Sequence, residues 1–151
     1  MGQYFLVVNL DKEQYLHPHC FNEGLKLLEF GCSSQGTLTA LTHLLRRSSE
    51  GGGGDWHGCH EIVGTWAGDR IVIVRDYDKS KLYEKAEKEF VNVSHYAIDA
   101  MMEDVYLKAD IKKDRGESSM YCPCTPKPKD GVFYKTGVGY ALMGARELER
   151  R

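Results

Sequence analysis

The chain has 151 residues, 42% hydrophobic and 28% charged, and its 20 basic and 22 acidic side chains leave a formal charge of −2. That length suits one domain and the composition is that of an ordinary globular chain, which excludes global disorder. The balanced charge excludes an overall cationic field, so no general nucleic-acid binding is expected.

The start, MGQYFLVV, has no basic n-region. Its apolar run stops far short of the ~20 residues of a membrane span, so no membrane association is expected and the expected location is cytoplasmic. Leu6 stands where a myristoylation motif requires Ser or Thr. Cys20, Cys32, Cys59, Cys122 and Cys124 are an odd set without an export signal, which reads as free thiols rather than a disulfide framework.

In chain order, residues 4–9 are β-rich, residues 10–13 have turn length and polarity, and Gln14-Tyr15-Leu16 can run back antiparallel, so a hairpin over about 4–17 is expected. Pro18 removes a backbone donor and should end the second strand at His17. Residues 24–30, GLKLLEF, fit a short helix or a strand. A helix over about 35–47 follows, with Ser34 as its cap, Leu38, Leu41, Leu44 and Leu45 on one face, and Arg46 and Arg47 at its C-terminal dipole. Residues 48–55 contain four consecutive glycines and read as a flexible loop. The segments IVGTW and RIVIVRDY, joined at Ala67-Gly68-Asp69, predict a second hairpin over about 62–76. Residues 79–90 are helix-prone, residues 91–93 extended, and Ser94 is placed to cap a helix to about Leu107 that buries Ala97, Ile98, Met101, Met102 and Val105. Residues 116–130 hold three prolines and read as an irregular loop or lid, followed by a strand at 131–135 and a helix at 140–151. Strands and helices without regular alternation predict a single α+β domain over 1–151, with hairpins packed against three or four helices.

His17-Pro18-His19-Cys20 is the densest set of potential donors, and imidazole and thiolate suit zinc or copper. In extended chain His17 and His19 share one face and can meet one metal ion or one anionic ligand, against the alternative of local packing at a strand end. His57, Cys59, His60, Cys122 and Cys124 offer further zinc donors, at spacings unlike the usual C-x-x-C pairs. The glycine run lacks a following Lys-Ser/Thr, so it is no P-loop, and GCSSQG does not give G-x-S-x-G. Trp66, Asp69 and Arg70 combine a stacking face with a planar donor fork, a set that suits nucleotides or carboxylates, or else builds a structural turn. Asp55, Glu61, Asp76 and Asp78 are oxygen donors without EF-hand spacing.

The stretches GQYFLVVNLDKEQYLHPHCF and GLKLLEFGCSSQGTLTALTHLL, the glycine loop ending in Asp55, and WAGDRIVIV together resemble a widespread group of small prokaryotic and phage-borne proteins, over roughly the first half of the chain. The resemblance implies a compact soluble domain in which His17, Pro18, His19, Trp66, Gly68, Asp69 and Arg70 belong to the shared pattern; Cys20, Cys122 and Cys124 do not. It carries over no catalytic residue.

No nucleophile, base and oxyanion set assembles in the sequence. The leading expectation is therefore a small protein that binds a small-molecule ligand or a protein partner through His17, His19, Trp66, Asp69 and Arg70, for example a phage-borne inhibitor or ligand-sequestering protein. The alternatives are a metal-dependent hydrolase with His17 and His19 as ligands and Asp69 or Asp55 as base, and a structural zinc module.

Overall fold

Phe5–Asn9 forms β1 and Gln14–Leu16 forms β2, paired antiparallel with Val7 opposite Leu16 and Asn9 opposite Gln14, so the first hairpin is present as expected. The structure is a computed structural model and describes residues 3–32, 35–47, 54–56 and 60–104. The turn is held by the Asn9 side chain, whose Oδ1 accepts from the backbone N–H of Asp11 and of Lys12, both at 2.9 Å. This is the local competition for backbone donors at which Asn excels.

Beyond β2 the chain enters a 3-10 turn at Pro18–Phe21, then α1 at Leu27–Gly31, α2 at Thr37–Leu45, β3 at Ile71–Arg75, α3 at Leu82–Glu89, β4 at Val91–Asn92 and α4 at Ser94–Glu103. Among the described residues the four strands form one mixed sheet in the order β3-β1-β2-β4, in which only β2 and β4 run parallel. Together with the four α-helices this makes the fold α+β. No helix among the described residues is long and apolar enough to cross a membrane.

Both faces of β1 are covered, which explains its unbroken apolar run. Leu6 and Val8 pack with Tyr15, Val74, Tyr83 and Ala86, under α3. Val7 and Leu16 face the larger core, where Phe21, Phe30, Leu44, Trp66, Ile98 and Met101 are fully buried. Each such side chain contributes roughly 1.5–3 kcal/mol of hydrophobic stabilisation.

The second hairpin is a correction. Only its latter half is a strand; residues 61–68 are consecutive turns with i to i−3 bonds such as Thr65 N to Ile62 O and Ala67 N to Gly64 O. The cause lies at the end of α2, whose last carbonyls need donors. Gly64 N donates to His43 O at 3.0 Å and Trp66 N to Leu44 O at 2.9 Å, so this segment caps a helix instead of pairing with a strand. Gly64 has φ +78, and a Cβ there would lie 2.7 Å from Arg46 O, so the close approach requires glycine.

Three smaller points concern α1 and the caps of α2 and α4. The ambiguous 24–30 region becomes helical from Leu27, with Phe30 inward and Leu28 outward. The N-cap of α2 is Gly36, and Ser34 lies outside the described residues. Ser94 is the first residue of α4, and its Oγ accepts from His17 N at 2.8 Å, a tertiary contact in place of the expected capping role. The expected elements at 131–135 and 140–151, the proline-rich loop, the glycines at 51–53, His57, Cys59, Val105, Cys122 and Cys124 also lie outside the described residues.

Candidate functional site

His17 sits at the N-cap of the 3-10 turn, where extended geometry (φ −106, ψ 116) meets Pro18 at the first helical position. Its Nδ1 accepts from His19 N at 3.2 Å. A ring nitrogen that accepts is unprotonated, so the neutral ring carries its proton on Nε2. Burial, followed by the nearby His19, pushes the His17 pKa down to about 4. The ring is therefore neutral at physiological pH. A metal at Nε2 would require that proton to move to Nδ1 and the cap to break.

His19 is exposed, and its ring lies 4.9 Å from that of His17 at 45°. The turn, not an extended strand, sets their relation. Cys20 is buried, and its Sγ accepts a contact from Asn92 Nδ2 at 3.6 Å. Cys20 and Cys32 are free thiols, the latter exposed.

Trp66, Asp69 and Arg70 lie elsewhere, against the β1–β2 turn. Trp66 is fully buried and its Nε1 donates to Gln14 Oε1 at 2.8 Å, so no stacking face reaches solvent. Asp69 Oδ2 accepts from Asn9 Nδ2 at 2.9 Å and from Lys12 Nζ at 2.5 Å, with both charged side chains largely buried. Arg70 is exposed; its N donates to Asp11 Oδ2 at 2.7 Å and its Nε to Asp11 Oδ1 at 2.9 Å. The Arg70 backbone donor, then its guanidinium, hold the Asp11 carboxyl below the usual carboxylate range.

Among the described residues no hydrogen bond, ion pair or ring contact links the two groups. Gln14, beside the turn, and His17 are separated by the length of β2, about 10 Å of extended chain. Of the oxygen donors, Asp76 Oδ1 accepts from Tyr4 N at 3.1 Å, Asp78 Oδ2 accepts from Ser80, and Asp55 and Glu61 are exposed on turns. Among the described residues no group of three or more His, Cys, Asp or Glu side chains is arranged to hold a metal ion.

A different surface stands out at the end of the sheet where β1 begins. Tyr4 N and O bond to the Asp76 side chain and backbone, which carries the β1–β3 ladder one pair past Phe5, while Phe5 N bonds Leu25 O on the β2 side of β1. Ile73 and Tyr77 are exposed on and just after β3, by 48% and 58%. Beside them runs the outer edge of β3. Leu10 N bonds Arg70 O and Asp76 N bonds Tyr4 O, so by antiparallel alternation Val72 and Val74 turn their backbone groups to β1. Those of Ile71, Ile73 and Arg75 point away from the sheet. Sequence reasoning did not single out this surface, although the uninterrupted IVIV of β3, with no lysine or proline to protect an edge, was a visible signal.

No protein-family model, no curated protein and no solved structure matches the chain.

Proposed function

We propose that this chain is a protein-interaction module whose contact surface is the open β3 edge together with the apolar side chains beside it. The observation that carries this reading is the exposure of Ile73 and Tyr77 on and next to an edge whose outward backbone donors at Ile71, Ile73 and Arg75 have no partner among the described residues. Added strands satisfy such donors through main-chain hydrogen bonds, and flanking apolar side chains supply area.

His17, Trp66 and Asp69 fit this reading as framework. They shape the turn and the core that hold β1, and β1 in turn positions β3. Arg70, exposed and immediately before Ile71, lies instead on the edge strand's own flank.

The test replaces Tyr77 by a photo-crosslinking benzophenone amino acid and identifies crosslinked protein from cells that make this chain. The expected result is a discrete protein adduct whose yield falls when Ile73→Lys is added without change in melting temperature. An adduct yield unaffected by Ile73→Lys would overturn the assignment of the edge.

A further inference from the structure

We infer that the partner at the β3 edge is a second copy of this chain, paired antiparallel about a two-fold axis through Ile73; this rests on the interaction reading above. Only one two-fold register uses all three outward-pointing residues. It sets Ile73 opposite Ile73 of the partner subunit and Ile71 opposite Arg75 of the partner subunit. Arg75 O already accepts from Asp78 N, but the Arg75 and Ile73 donors and the Ile71 and Ile73 carbonyls have no partner among the described residues and are offered to the second copy.

The charges agree with that register. One step beyond the paired segment, Arg70 falls opposite Asp76 of the partner subunit, and the two-fold axis repeats the pair. Arg70 and Asp76 both keep strand register, because each bonds to β1. They occupy a non-hydrogen-bonded position, where Cα atoms approach to about 4.5 Å and side chains come closest. On the opposite face the half-exposed Ile73 meets its own copy, an apolar cross-strand pair that would cover surface now in water. No like charges are brought opposite one another. The result is a continuous eight-stranded sheet with β3 strands at its centre.

Five-residue strands bury less than the ~1,200 Å² of a stable interface. The association is therefore concentration-dependent rather than permanent.

Sedimentation velocity of the full chain over a range from about 10 μM to about 1 mM should show monomer passing to dimer. Ile73→Lys, which sets two ammonium groups across the axis, should raise the dissociation constant by at least about tenfold. R70E and D76R should each weaken association and their combination should regain part of it, the remainder being the Asp11 and Tyr4 contacts that the exchange does not return; simple misfolding does not produce that recovery. Amide exchange at Ile71, Ile73 and Arg75 should slow as dimer forms, while Val72 and Val74 stay protected throughout. A monomer at every concentration with fast outward amides overturns self-pairing and leaves the interaction module standing. A monomer with protected outward amides means that another segment of the same chain covers the edge, and overturns both. A dimer that persists in Ile73→Lys overturns the inference, because its contact lies elsewhere.

Discussion

Trp66 and Gln14, 52 residues apart in sequence, meet inside the core, where the indole Nε1 donates to the Gln14 side chain at 2.8 Å and both residues are fully buried. This single bond ties the turns of 61–68 to the sheet. Gln14→Leu leaves the indole N–H without its acceptor in a dry environment, at a cost of about 1–3 kcal/mol. Trp66→Phe loses the bond together with packing volume. The double variant should cost less than the two single changes added together, because the second substitution removes a group already orphaned. Urea denaturation of the four proteins measures the coupling. Strict additivity would show that the bond contributes nothing.

The first hairpin, the α3 and α4 helices and the α+β class were legible because their signals are local: alternation, a proline stop, and helical spacing of apolar residues. Residues 62–66 were not, since Ile62, Val63 and Thr65 favour strands on propensity alone. A tertiary demand overrode that preference, namely the last carbonyls of α2. Gly64 was the readable warning, a lone glycine inside a strand pattern. The histidines follow the same logic. Period two put His17 and His19 on one face, but Pro18 starts a helical turn as readily as it stops a strand. The partners of Asp69 and Arg70 could not be read at all, since Asn9, Asp11 and Lys12 lie some 60 positions away, and contacts at that separation leave no trace in spacing.

Glu23 supplies the cap that α2 lacks locally. Its Oε1 accepts from Thr37 N and from Thr37 Oγ1, both at 2.7 Å, and the carboxylate lies at the positive end of the helix. Glu23→Gln should cost about 1–2 kcal/mol by removing the charge. Gly36→Ala should do as much harm, since the new Cβ would fall on that carboxylate. Thermal melts test both. If Gly36→Ala stabilises the protein by favouring helix, the carboxylate does not occupy that space.

Asp69 and Arg70 are neighbours with different expected roles. Asp69→Ala strands the Asn9 amide and the largely buried Lys12 ammonium, and should destabilise the hairpin by about 2 kcal/mol or more. Arg70→Ala breaks a solvent-screened pair with Asp11 and should leave the melting temperature nearly unchanged while weakening association. Equal loss of stability in the two variants would refute the division between framework and surface.

His17 and His43 predict the response to acid. His43 is buried near the end of α2 against Trp56, and burial, then Arg46, push its pKa down to about 4, with Asp104 pulling the other way. Its Nδ1 accepts from Arg46 Nε at 3.3 Å, which puts the neutral ring's proton on Nε2. In the unfolded chain both rings titrate near 6.5. Between about 4 and 6.5 the unfolded state therefore binds more protons than the folded state, so stability is full above that window and falls as the pH drops through it. The loss is on the order of 3 kcal/mol for each ring at the lower limit. Glu87, whose carboxyl is raised by burial and then by Glu84 and Asp76, opposes it in part by gaining a proton in the folded state. The lowered carboxyls of Asp11 and Asp78 add their losses only below the ordinary Asp range, so they leave the window to the histidines. His43→Gln should flatten the dependence of urea stability on pH between 6.5 and 4, and combining it with His17→Asn should flatten it further. A slope unchanged in the double variant would mean that both rings protonate freely in the folded protein, and so are neither buried nor fixed by their Nδ1 bonds.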